Sequence, residues 1–223
     1  MEKVILKAVL TIRWVLTYLV QLLLWIPVRL LFIFLYKHKV ETSVDLTKLT
    51  GPYIIAANHG SYIDAFLLSA AFLPKPRFFP LWYMTTPRFY FDPFLRPILW
   101  LLGSFPVFKR VGMAQTLSFP LEILHNGGVV VIFPEGRRRK PIGRPPKARR
   151  GVSYLAANAN VPIIPVWLDD ILGLDMHDTM QRTRHIKIRI GEPFVMPEEE
   201  VYDDATFSRM SDEIMNRVWA LDI

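Results

Sequence analysis

The chain has no cysteine among its 223 residues, which excludes a disulfide framework and a thiolate nucleophile. Together with 18 prolines, this fits a cytosol-facing protein that needs no covalent cross-links. No metal-ligand cluster is visible, and there is no internal repeat. Acidic residues are missing from Arg137–Arg150, which holds eight basic side chains. The formal charge of +7, less those eight, leaves −1 for the rest of the molecule. The body is therefore near neutral with one basic patch, a different object from a generally basic protein. The apolar fraction, 52%, is high for a soluble domain, and much of the excess sits in the first 36 residues.

That N-terminal run, Val4–Tyr36, is almost continuously apolar, interrupted by Lys7, Arg13, Gln21, Pro27 and Arg29. Trp14–Ile26 is too short to cross a hydrocarbon core of about 30 Å, which takes about 20 residues. Trp14–Tyr36 is long enough but is broken by Pro27 and Arg29. Lys3, Lys7, Thr11, Trp14, Tyr18, Gln21 and Trp25 recur at helical spacing and mark a polar-to-aromatic stripe on one face. Basic residues flank both ends, so the charge bias of a spanning helix is missing. The expectation is two helices bent near Pro27, lying in one leaflet at the cytoplasmic face, with a single transmembrane helix as the rival. No small-residue cleavage site follows the run, which argues against a cleaved signal peptide. Residues 1–40 read as membrane-associated helices and 41–223 as one domain.

Beyond Gly51 the pattern alternates. Strands are expected at Tyr53–Ala57, Arg77–Leu81, Phe105–Phe108, Val129–Phe133, Ile163–Leu168 and His185–Ile190. Helices are expected at Ala65–Phe72, Arg88–Leu102, Met113–His125 with a break at Pro120, Val152–Ala159 and Asp204–Leu221. Residues 169–183 read as an irregular connection. Alternation of this kind predicts an α/β fold, a largely parallel sheet flanked by helices, with ligands gathering beyond the strand C-termini.

Asn58-His59-Gly60-Ser61-Tyr62-Ile63-Asp64 lies at one such end, with His59 in the turn and Asp64 in the first helical turn. A carboxylate there can hold one imidazole nitrogen and leave the other free as a base. The nearby hydroxyls are Ser61 and Tyr62, so the simpler use of that base is to activate a hydroxyl belonging to the substrate. Ser61-x-x-Asp64 is equally a capping box, in which the aspartate only ties off a helix start.

A second strand end carries Pro134-Glu135-Gly136-Arg137-Arg138. Gly136 permits a tight turn, the arginines offer paired donors to a phosphate, and Glu135 can accept from a hydroxyl or hold an arginine. The same residues fit a solvated turn. Gly103–Arg110 ends a strand in two cations, and Val161–Val166 is an apolar strand bracketed by prolines.

The His-x-x-x-x-Asp turn, the Pro-Val strand end, the Phe-Pro-Glu-Gly turn and the Val-Pro-Ile-Ile-Pro block occur in that order, over Tyr53–Val166. In this the chain resembles the glycerolipid acyltransferases typified by PlsC-type 1-acyl-glycerol-3-phosphate acyltransferases. The resemblance implies His59 as general base and Asp64 as its orienter. Glu135 and Gly136 then belong to the block that positions the glycerol-phosphate acceptor, and Lys109 or Arg110 meets its phosphate. The third block departs from the family pattern, since Arg137 stands where a threonine or serine is usual, while Arg138 keeps the arginine. The reaction implied is acyl transfer from an acyl-CoA or acyl carrier protein thioester to a lysophospholipid hydroxyl, with no cofactor, metal or covalent intermediate. Two rivals stand beside it. One is a membrane-anchored thioesterase or hydrolase with water as acceptor. The other is a nucleic-acid-binding membrane protein using the basic patch, disfavoured because that stretch has no aromatic residue to stack on bases. A non-catalytic lipid-binding scaffold is disfavoured by the intact dyad.

Overall fold

The computed structural model describes residues 2–108, 111–138, 147–174 and 181–222, with side chains from residue 9 onward. Helix α1 (Glu2–Tyr36) leads into β1 (Lys39–Thr42), β2 (Tyr53–Ala57), α2 (Asp64–Ala71) and β3 (Leu81–Thr85). Next come α3 (Pro87–Tyr90), α4 (Leu95–Leu101), β4 (Ser104–Pro106), α5 (Met113–Thr116), α6 (Ser118–His125) and β5 (Val129–Ile132). The chain closes with α7 (Gly151–Ala159), β6 (Ile163–Leu168), β7 (Lys187–Ile190) and α8 (Asp204–Trp219).

The strands form one sheet in the order β1-β7-β6-β2-β5-β3-β4. Only β6 and β7 pair antiparallel; every other neighbouring pair is parallel. The α/β expectation with a largely parallel sheet therefore holds. β2 sits in the middle with β6 and β5 on its flanks, and both of its faces are covered. Ile55 and Ala57 pack with Leu67, Leu68 and Val166 in one core, while Ile54 and Ala56 pack with Val152, Leu155 and Ile214 in the other. Burial on two sides is why this strand reads as a continuous apolar run rather than an alternation.

β2 and β6 match their sequence-derived limits, but several other boundaries differ. The strand expected at Arg77–Leu81 runs instead from Leu81 to Thr85. Phe78 and Phe79 donate to the Lys75 carbonyl in a turn, and Pro80 has no N–H for a ladder. Arg88–Leu102 is two helices, α3 and α4. Pro93 disfavours helix at the residue before it, and the Asp92 carboxylate accepts the Phe94 and Leu95 amides at 3.0 Å each. Met113–His125 is likewise divided, but at Leu117 rather than Pro120. Pro120 lies in the first turn of α6, where an N–H has no helical partner to lose. β1 was not expected at all.

The largest difference is α1, which is one helix with Pro27 inside it rather than two helices meeting there. Pro27 withholds one helical hydrogen bond, and docking on both sides of it holds the helix in place. Its inward face sets polar groups among the buried Phe32 and Tyr36. Arg13 donates to the Ser104 carbonyl at 2.7 Å, its guanidinium lying over the Trp82 and Trp100 rings. Gln21 donates to the Leu81 and Leu102 carbonyls and accepts the Leu81 amide at 2.9 Å. Trp25 donates to the Phe72 carbonyl and Arg29 to that of Ala70. The outward face, with Ile12, Leu19, Leu23, Ile26, Leu30 and Phe34, is exposed, Leu23 to 76%. Val9–Tyr36 is long and apolar enough to cross a membrane by length and composition. Of the stripe expected on this helix, Trp14, Tyr18, Gln21 and Trp25 face the body, whereas Thr11 is exposed.

Candidate active site

The parallel register places Ala56 beside Ile132, so β2 and β5 end side by side and release their loops into the same space. His59 leaves β2 and Glu135 leaves β5. At the end of β2 the Asn58 side chain donates to the Leu168 carbonyl at 2.8 Å and accepts the Leu168 amide at 2.7 Å. Its amide group thus adds one more rung between β2 and β6 and fixes where the loop begins.

The loop returns at once into α2. Asp64, 1% exposed, accepts His59 Nδ1 at 2.7 Å, where the imidazole is 23% exposed. The same carboxylate accepts the Gly60 amide at 2.8 Å, the Ser61 amide at 3.0 Å and the Ser61 hydroxyl. Hydrogen bonds of this kind are what make a buried carboxylate tolerable. The capping box is not formed, since α2 starts at Asp64 with Ile63 at its N-cap and no side-chain cap bond; the carboxylate instead ties the loop together and holds the imidazole. Gly60 has no room for a side chain; a Cβ there would come within 2.8 Å of Ile171. α2 is itself held from β3. The Tyr83 hydroxyl donates to the Ala65 carbonyl at 2.9 Å and meets Ser69 Oγ at 2.6 Å. Burial pushes that hydroxyl above the ordinary tyrosine range, against the opposing pull of the Ser69 bond, so it keeps its proton.

The imidazole is fixed a second way. Its ring stacks on Phe133, centroids 4.3 Å apart and planes 18° from parallel. With Nδ1 bound to Asp64 and one face against Phe133, the ring is held in orientation, and no described residue hydrogen-bonds Nε2. Glu135 is fully buried and accepts the His59 backbone amide through Oε1 at 3.4 Å. Gly136 adopts φ +64 and its amide donates to the Phe133 carbonyl at 2.9 Å, closing the turn. A Cβ there would be both strained and 2.7 Å from the Arg149 side chain.

Arg138 lies over the Tyr62 ring, its guanidinium carbon 3.4 Å from the centroid, and donates to the Tyr62 hydroxyl at 2.6 Å. Arg137 is exposed. The structure thus brings His59, Asp64, Glu135, Gly136 and Arg138 together. Lys109 and Arg110 lie outside the described residues. Asn58, Tyr62, Tyr83 and Phe133 shape the site through contacts that their positions in the sequence do not announce. Asn58 carried one visible signal, a polar residue directly at the end of an apolar strand. Phe133 and Tyr62 carried none that could be used without the β2–β5 register.

An imidazole oriented by a buried carboxylate, its other nitrogen taken by no described residue, stands at the C-terminal edge of a parallel sheet, where it can move a proton for a ligand beyond the strands. Comparison with known proteins narrows that class. A family model described as Acyltransferase matches residues 36–169, more than half of the chain, and the chain belongs to this family. It is 24% identical over 155 residues to the 1-acyl-sn-glycerol-3-phosphate acyltransferase of Bacillus subtilis (strain 168), covering 70% of this chain and 72% of that one. It is 30% identical over 118 residues to the enzyme of the same name from Pseudomonas aeruginosa, covering 52% of this chain but only 43% of that protein. The crystal structure of PlsC, the 1-acyl-sn-glycerophosphate acyltransferase of Thermotoga maritima, superposes with a TM-score of 0.58 at 20% identity. That match covers 83% of this chain and 72% of that one, and it shows a shared fold.

Proposed function

We propose that this acyltransferase moves a fatty acyl group from acyl-CoA or an acyl carrier protein thioester to the free hydroxyl of 1-acyl-glycerol-3-phosphate, giving phosphatidate. His59 Nε2 takes the hydroxyl proton as that oxygen attacks the thioester carbonyl. The new C–O bond forms, the C–S bond breaks, and the imidazolium returns its proton to the departing thiolate. Asp64 holds the ring and stabilises the imidazolium while it exists. General-base catalysis contributes about 10²–10⁴-fold, so alignment of the two substrates supplies a large further share. Arg138, seated on Tyr62, and either Lys109 or Arg110 meet the acceptor's phosphate, and Glu135 keeps the two loops in register. α1 anchors the enzyme by its apolar outer face at the cytoplasmic side of a membrane, where the acceptor resides.

The observation that carries this reading is the 2.7 Å contact between His59 Nδ1 and Asp64, with Nε2 left for a substrate. The test is purified protein in vesicles with labelled acyl-CoA and a panel of lyso-lipids. Labelled phosphatidate is the expected product, and His59→Ala abolishes it. Release of free fatty acid at the same rate with and without acceptor would replace transfer by hydrolysis.

A further inference from the structure

The connection from β3 to β4 carries an apolar surface that the chemistry above does not use. α3 and α4 leave Phe89, Phe91, Phe94, Leu95 and Ile98 exposed, and Phe108 follows on the far side of β4. Phe94 is 83% exposed, and α4 buries none of its residues. Soluble proteins rarely display large apolar clusters of this kind. The helices are locally well made, with Pro87 at the start of α3 and Asp92 capping α4. Their outward aromatic residues are therefore not the by-product of a failed helix.

We infer that the α3–α4 connection is a second membrane contact, inserting into an anionic bilayer beside the active site. Three features select that occupant. Charge is the first. Arg88 and Arg96 are exposed, and the one acid of the stretch, Asp92, is committed to backbone amides. Cations bordering exposed hydrocarbon suit an anionic headgroup layer. Continuity is the second. The end of α4 is bonded to α1 through Arg13 to the Trp100 carbonyl and Gln21 to the Leu102 carbonyl, so the cluster is fixed to the helix whose outer face is already apolar. The third is its tie to the site. Phe89 meets the Tyr62 ring edge-on at 6.4 Å, and Tyr62 carries Arg138. A bilayer lipid reaching His59 from this side would not need to leave the membrane.

The absence of cysteine makes the test direct, because Phe94→Cys and, as control, Asn216→Cys on α8 each take a single fluorophore. The full labelled chain is reconstituted into vesicles of phosphatidylcholine and phosphatidylglycerol, with or without bromine on the acyl chains. Fluorescence at position 94 is expected to fall at least about twofold with brominated chains, as for groups at the headgroup–acyl boundary, and at position 216 to stay unchanged. No quenching at 94 while the protein remains vesicle-bound would overturn the inference. So would quenching by a brominated acyl-CoA alone, in unbrominated vesicles, since the cluster would then be an acyl-chain groove. Neither readout needs turnover, so the outcome stands apart from the substrate assignment.

Discussion

Replacing Asp64 by asparagine tests whether this carboxylate acts through charge or only through shape. Asparagine keeps one acceptor and turns the other into a donor. Oδ2 faces the His59, Gly60 and Ser61 donors, two of them backbone amides that cannot turn away. An amide nitrogen there would oppose all three at about 1–3 kcal/mol for each buried group left unmet. The oxygen must take that place, leaving the nitrogen beside the Ser61 hydroxyl, which can rotate to accept. The loop is then expected to survive and the imidazole to keep its orientation. What disappears is the charge opposite the imidazolium, worth about 4 kcal/mol at 4 Å with an effective dielectric of 20. At 1.36 kcal/mol per decade this is up to about 10³ in kcat. The assay is thiol release from acyl-CoA with a saturating lyso-lipid, beside a thermal melt. Because Asp64 acts through His59, the same substitution in a His59→Ala background should cost almost nothing more. A wild-type kcat in Asp64→Asn, or full additivity in the double variant, would refute the reasoning.

Further expectations concern the surroundings of the site. Arg138→Ala should raise KM for the acceptor more than for acyl-CoA, and Tyr62→Ala should shift it in the same direction; equal changes in both constants would remove Arg138 from the phosphate. Gln21→Leu strips the Leu81 amide and two carbonyls of their partners and should cost about 3 kcal/mol or more by chemical denaturation. His38, buried between α1 and β1, is held near pKa 4 by burial and then by Arg29, against an ordinary 6.5. A base kept neutral by the fold takes its proton only in the unfolded chain between those values, so stability falls as pH drops through that window. Between pH 7 and 5 this amounts to about 2 kcal/mol, and His38→Leu should lose that much less than the wild type in melts at the two pH values.

Much of the centre was legible because local pattern and tertiary role agree there. β2 and β6 are apolar on both faces and bounded by glycine, proline or polar residues, so their limits could be read directly. His59 and Asp64 are five residues apart, close enough that a strand–turn–helix reading already brings them together. The edges were not legible. β1 is Lys-Val-Glu-Thr, a strand only because β7 lies beside it. α1 is continuous through Pro27 because Gln21 and Trp25 on one side and Arg29 on the other all find carbonyls on the body, contacts that no helical period discloses. Phe133 lies against His59 through the pairing of two strands far apart in the chain.

The docking of the first helix has a further consequence for anyone wishing to remove the exposed apolar surface of this chain. Cutting the chain near residue 40 follows the division its composition suggests, yet it would remove the side chains of Arg13 and Gln21 that satisfy the main chain of β3, α4 and β4. Trp82 and Leu81 would be laid open at the same stroke. α1 and the α/β body are joined by these bonds, so a less apolar version is better sought by replacing the outward leucines of α1 with polar residues than by shortening the protein.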